Sequence, residues 1–428
     1  MNRDDAVHLL RRTGFAVRES DVTQLMALDR VAGVSLVTDF APNSPAQPPP
    51  EIADPEGSRW RQIRDLRDWW IQRMMTVPRP LQEKMTLFWH SHFAASAERV
   101  YFATQTWEQN HLFRLQGLGN YRDLVHATSI DPAMVLYLDG YRNKAGNPNE
   151  NYARELMELH TLGPGNYTEN DIVELAKAWT GHMLDESYRN YEFKSYHHDY
   201  RNKTIFGITR DWNGPEVIDE ILLGSKQVAA SEFITKKMFE YFVYEGPSAS
   251  LVSSLATSFR ANGLNIGLLL RDILLHSEFW STRARQAIVR SPVEYMIQCI
   301  VGAGSTFDEA RPDWWLRDMG HDLFYPPNPS GWQLNGFWLS ASSTWAKAEF
   351  ARHLAWKAVR RDHLQEIETE GVPMAVALAL HLFGISDVSP TTRTALENYL
   401  YAERATWEWP QHANLLTLTM LTPEIQVA

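Results

Sequence analysis

The sequence predicts a mainly α-helical protein: one large multi-helix globular unit over residues 1–428, with a small β-hairpin excursion and one long loop rich in proline, glycine and tryptophan. Three observations lead there. Apolar residues recur at helical spacing along most of the chain. Cap residues followed by proline mark helix starts at Asp131-Pro132, Asn147-Pro148 and Ser291-Pro292. Strand-like alternation of aromatic and polar residues is confined to one stretch, near 188–207.

The elements follow in order. "DDAVHLLRRTGF" opens a first helix that Gly14 stops, and "DVTQLMALDRVAGVSLVTDF" supplies further helical segments. The proline-rich stretch 41–58 is a loop. A helix through 59–77 is broken by Pro78 and Pro80, and "LQEKMTLFWHSHFA" (81–94) restarts the helical period. Asn147-Pro148-Asn149-Glu150 starts the helix of "NENYARELMELHTLG", and Gly163 ends it. Thr168 with Asp171, and Ser291 with Glu294, have capping-box spacing. The irregular segment 323–342 precedes another helix, and such a long loop in a compact chain is often functional.

Composition excludes several classes. Hydrophobic residues make up 44% of the 428, which suits a globular chain. Net charge is −11, from 41 basic and 52 acidic residues, and no basic stripe offers a nucleic-acid surface. No apolar run is long enough for a membrane span. The first residues lack a secretory pattern, so a cytoplasmic location is expected. The lone cysteine, Cys299, excludes an internal disulfide and any multi-cysteine metal site. Phosphate-binding glycine loops, HExxH and GxSxG are all missing.

Chemistry is suggested by three stretches. On a regular helix with Asn151 at zero, Glu155 lies near about 40°, Glu158 near about −20° and Arg154 near about −60°, one polar arc. A solvated face explains that arc most cheaply. Yet Glu155 has no basic residue at i±3 or i±4 and faces Glu158, and paired carboxylates raise each other's pKa or share a cation. In "FWHSHF", His90 and His92 are metal-ligand types, though two residues apart on a helix they diverge. His198 beside Asp199 has the composition of a base with its orienting carboxylate. Sixteen tryptophans build a core or stack on sugar rings, Trp332 and Trp338 among them.

"HLLRRTGF", "EKMTLFWHSHFA", "DPAMVLYLDG", "NPNENYARELMELHTLG", "SPVE", "PPNPSGW" and "LLTLTMLTPEI" occur in the order seen in the bacterial domain-of-unknown-function family 1800, which the chain resembles from His8 to about Ile425. The resemblance implies a single unit and no assigned activity. It also implies a histidine-aspartate pair followed by lysine-threonine and glycine, matched by His198, Asp199, Lys203, Thr204 and Gly207. Ser340 departs from the family pattern, which has asparagine there.

The leading expectation is a hydrolase using a divalent metal ion held by His90, His92 and Glu155. Arg154, Glu158, His198 and Asp199 are its candidate catalytic groups, while Asn151, Asn328, Trp332 and Trp338 line a cleft for a small or saccharide-like substrate. Two alternatives stand beside it. One is a metal-free acid–base enzyme on saccharides, disfavoured because two carboxylates one turn apart do not flank a bond. The other is a non-catalytic binding or scaffold protein built on a buried polar network.

Overall fold

The computed structural model describes residues 1–43, 49–54, 58–358, 367, 369–403 and 409–428, so part of the expected loop 41–58 lies outside the described residues. Helices dominate, and the elements that position the polar interior are few. α1 (Arg3–Thr13) is capped by Asn2, whose side chain accepts from the Asp5 N–H, and ends where the Gly14 N–H meets the Leu10 carbonyl. α2 (Arg59–Thr76) and α3 (Pro80–His92) are separated by the two prolines, with Pro80 in the first turn of α3, where its missing N–H costs nothing. α4 is Ala103–Gln116. α5 (Glu150–Glu155) runs into a π-helical turn, Leu156–Thr161. α6 is Gln227–Phe242, α7 is Pro292–Gly302 and α8 is Ala341–Ala358.

Two small antiparallel sheets replace the single expected hairpin. β1 (His182–Leu184) pairs β2 (Tyr191–Phe193), and β3 (Lys203–Ile205) pairs β4 (Ile208–Arg210). The first turn is organised by the Asp185 carboxylate, which accepts from Ser187 and Asn190. The second is a two-residue turn with both φ positive, Phe206 at 51° and Gly207 at 79°. That geometry matches the twist of the flanking strands. Three-residue strands are too short to show alternation, so the sequence pattern merged them. Among the described residues no helix is long and apolar enough to cross a membrane.

α3 is buried around nearly its whole circumference. Leu81, Met85, Phe88 and Trp89 pack into one apolar cluster with α1 and α6; Leu87 packs into a second with α2, α7 and α8. A helix in that position needs partners for every polar group it carries. Glu83, fully buried, accepts from Trp70 Nε1 (2.8 Å), Arg73 Nε (2.5 Å) and Arg114 Nε (2.8 Å). Burial alone raises its carboxyl pKa, but Arg114 and then Arg73 more than offset this, so the net shift is downward. The depressed pKa makes Glu83 a source of stability at neutral pH that fades as pH falls through the folded-state value.

Glu83→Gln leaves the buried guanidinium of Arg114 and the half-buried one of Arg73 without their anion and is expected to cost about 3–5 kcal/mol at neutral pH. Urea unfolding of both proteins checks this, and the gap between them narrows in acid.

Candidate functional site: a buried cationic cavity

The "NENYARELMELHTLG" helix starts two residues later than expected. Asn149, not Asn147, is the N-cap and accepts from the Asn151 N–H at 3.0 Å, while the Asn147 N–H closes a turn onto the Lys144 carbonyl. Its polar face is spoken for locally. Arg154 pairs with Glu169 at 2.8 Å and Glu150 at 3.4 Å, Asn151 donates to Asp139 at 3.4 Å, and Glu158 accepts from the Tyr167 hydroxyl at 2.9 Å. Glu155 is half-buried, its pKa raised by burial and then by Glu158. The 100° projection fails past Glu155 because the turn widens, and the Thr161 hydroxyl reaches the Leu156 carbonyl five residues back. This wide turn presents the carbonyls of Leu159 and His160 to side chains from other helices: Lys237, and His92 with Tyr121.

The metal-dependent hydrolase reading is corrected here. Among the described residues no three histidine, cysteine, aspartate or glutamate side chains come together to hold a metal ion. The physical reason is that both histidines serve the backbone. His90 Nε2 accepts from the Phe324 N–H at 3.1 Å, among the rings of Trp70, Phe324 and Trp332, and burial pushes its pKa down to about 3. His92 Nε2 donates to the His160 carbonyl at 3.0 Å. Glu155 belongs to a different neighbourhood, beside Glu158 and Tyr137. The divalent cation goes with the site.

His198 and Asp199 do not act on each other. His198 Nδ1 donates to the Thr180 carbonyl at 2.6 Å, while Asp199 holds Arg201 at 2.5 Å and is lowered to about 2, chiefly by that hydrogen bond. Lys203 is buried against Asp211 and the Trp212 carbonyl. The family-like His-Asp-Lys-Thr-Gly pattern therefore knots the β3–β4 hairpin to its surroundings. Asn328 is an exposed turn residue whose carboxamide oxygen accepts from Ser330. Ser340, where the family pattern has asparagine, caps α8 by accepting from the Ser343 N–H at 3.1 Å. Trp332 and Trp338 are buried and flank His321, each ring 4.9 Å from it.

Those two tryptophans open onto what the sequence reading missed. A small cavity with a mouth to solvent is lined by Arg11 and Arg12 of α1, Lys84 and Ser91 of α3, Tyr241 of α6, and Arg290, Ser291 and Glu294 at the start of α7; His321, Trp332 and Trp338 form its aromatic wall. Four cations thus meet one carboxylate. They are sealed: Arg11 is 7% exposed, Arg12 2%, Lys84 4% and Arg290 3%. Lys84 pairs with Glu294, whose other oxygen caps α7 by accepting from the Ser291 N–H and hydroxyl. Arg11 donates to the carbonyls of Glu424 and Val427, and Arg12 to that of Ala284. Arg11 Nε, Arg12 Nε and Nη1, and Arg290 Nη1 have no hydrogen-bond partner among the described residues. Burial, then mutual repulsion, lowers the pKa of Arg12 to about 9 and that of Arg11 well below its usual value, with Glu424 and Asp387 opposing at longer range.

A sequence signal for this cluster existed. Neither Arg11, Arg12 nor Lys84 has an acid at i±3 or i±4, the same test that singled out Glu155. The segments involved are those that carry the family resemblance: "HLLRRTGF", "EKMTLFWHSHFA", "SPVE" and "PPNPSGW" converge on one cavity.

A family model described as "Protein of unknown function (DUF1800)" matches residues 8–427, and the chain belongs to that family. No curated protein and no solved structure matches it.

With Glu155 half-buried beside a like charge, Glu155→Gln is expected to change stability by no more than about 0.5 kcal/mol, on the favourable side. A raised folded-state pKa means that ionised Glu155 opposes folding at neutral pH, so the variant gains there and the gain disappears in acid. Denaturant melts at the two pH values measure it.

Proposed function

We propose that this member of the family is a metal-free binding protein for a small oxyanion, such as a phosphate, sulfate or carboxylate group, taken up in the cavity between α1, α3 and α7. One observation carries the reading: four buried cations face one carboxylate there, with guanidinium N–H groups left unpaired. An unpaired buried charge costs several kcal/mol, and a purely structural network would spend that energy for nothing. Arginine forks match the planar geometry of oxyanions, and a dry wall of tryptophan and tyrosine strengthens each contact. Glu294, held at both oxygens, fixes Lys84 instead of competing for the arginines. The reading includes the chain acting as one unit, since α3 packs into both apolar clusters. A cytoplasmic location belongs to the same reading, and the buried free thiol of Cys299 is compatible with it.

Thermal melting separates a binding site from a structural network. Inorganic phosphate or sulfate raises Tm by a few degrees over chloride at matched ionic strength, following the mass-action law for a ligand that binds only the folded state. Equal effects of all three salts sink the reading. The variant Arg290→Met, measured without oxyanions, is expected to be neutral or stabilising by about 1 kcal/mol, because it relieves repulsion at a site kept for function. It also abolishes the phosphate-induced shift. A loss of several kcal/mol in this variant would instead identify Arg290 as part of the scaffold.

A further inference from the structure

The wide turn that ends the "NENYARELMELHTLG" helix meets α6 at a second polar cluster, independent of the cationic cavity. Lys237 Nζ donates to the Leu159 carbonyl at 3.2 Å and lies 3.3 Å from His92 Nδ1, with the ring of Phe233 4.9 Å away. Because His92 Nε2 donates to the His160 carbonyl, its Nδ1 is the acceptor in a neutral ring. Both partners of the ammonium are therefore uncharged. No carboxylate lies within ion-pair distance of Lys237 among the described residues. The charged and titratable groups facing it are His92 from α3, His160 from the π turn, and Glu240 and Lys236 on α6 itself, and Glu240 is engaged by Lys236 at 3.9 Å. Other buried lysines are committed or sealed: Lys84 to Glu294, Lys203 to Asp211, and Lys347, 3% exposed, to Gln426. Lys237 is only half-buried.

We propose that Lys237 is a nucleophilic amine that takes up a small aldehyde or ketone as a Schiff base. The ammonium first releases a proton to solvent, the remaining N–H groups stay on the Leu159 carbonyl and His92 Nδ1, and the freed lone pair attacks the carbonyl carbon. The oxygen leaves as water after a proton from solvent and a second one from nitrogen reach it. Ammonium plus carbonyl gives iminium plus water, so atoms and charge balance with no further reactant. Desolvation between Phe233 and the histidines favours the dehydration and holds the Lys237 pKa at about 8, which leaves a usable share of neutral amine near neutral pH.

Lys236 is the internal control: it is adjacent, exposed and on the same helix. The full-length protein is treated with limiting acetaldehyde and cyanoborohydride, which traps the iminium by hydride transfer, and peptide fragmentation resolves the two lysines. A pKa near 8 in place of the ordinary lysine value gives Lys237 about 300-fold more neutral amine, so even with restricted access it is expected to be ethylated about tenfold faster than Lys236. His92→Gln, which takes away the Nδ1 contact that orients the amine, is expected to lower the ratio several-fold with Lys236 unchanged. A wild-type ratio at or below one overturns the assignment without any variant having to fold. A high ratio that His92→Gln leaves intact overturns the role given to His92.

Discussion

The polar interior between the two apolar clusters is organised by the burial of one helix. α3 has water on almost no side, so most of its polar side chains are answered by other parts of the chain. Gln82 donates to the carbonyls of Asn43 and Arg114, Glu83 gathers Trp70, Arg73 and Arg114, and Lys84 takes Glu294. Trp89 donates to the Gly117 carbonyl, His90 receives Phe324, and His92 reaches His160. Each bond fixes the height and rotation of α3 against a neighbour, because an unanswered group in that position costs more than most single packing contacts contribute. The two apolar clusters then close around a helix whose register is already set.

The same constraint explains which parts of the fold were legible in the sequence. Helix ends are local physics, so the Gly14 stop, the Thr168–Asp171 and Ser291–Glu294 boxes and the Gly163 terminus all stand where the residues put them. The wide turn after Glu155 leaves no local trace. It follows from tertiary demand for the Leu159 and His160 carbonyls, and it departs from the regular helix of the angular projection, although Glu155 and Glu158 remain neighbours as the sequence suggested. His90 and His92 were misread for a related reason: residue type marks them as metal ligands, whereas their Nε2 atoms are engaged by backbone groups from segments far away in sequence.

The candidate cavity was hidden differently. "RRTG" in an amphipathic helix reads as a wet face, and burial of Arg11 and Arg12 depends on helices hundreds of residues later. What remained visible was a missing acid within reach on the same helix, and it was visible for Lys84 as well. Charges that a helix leaves unpaired must be answered by water, by another element or by a ligand. Here the four groups are buried and, among the described residues, the one carboxylate in ion-pair contact with them is that of Glu294, with Glu424 and Asp387 acting at longer range, so the excess charge points to a ligand. The tryptophan count left core and sugar cleft both open; Trp332 and Trp338, expected in a cleft, are buried and serve as a dielectric wall, which raises the strength of the cationic contacts instead of offering an open stacking platform.

The geometry of α3 also relates the two polar clusters. Lys84, Leu87 and Ser91 follow helical spacing and line the cavity; Phe88 and His92 form the adjoining stripe toward α6. On α6, Lys237 and Tyr241 are one turn apart, and the Tyr241 ring stands 5.1 Å from Phe88 and 5.5 Å from Lys84 Nζ. The α3–α6 contact is thus a common wall with Tyr241 and Phe88 as its fill. An oxyanion that drew Lys84 toward the cavity would act on the ring that packs beside the Lys237–His92 pair. Packed interiors transmit such shifts because they have no slack to absorb them. Coupling between the clusters is therefore to be sought in the Phe88–Tyr241 contact, the place where two independent charge anomalies of the sequence share one packed surface.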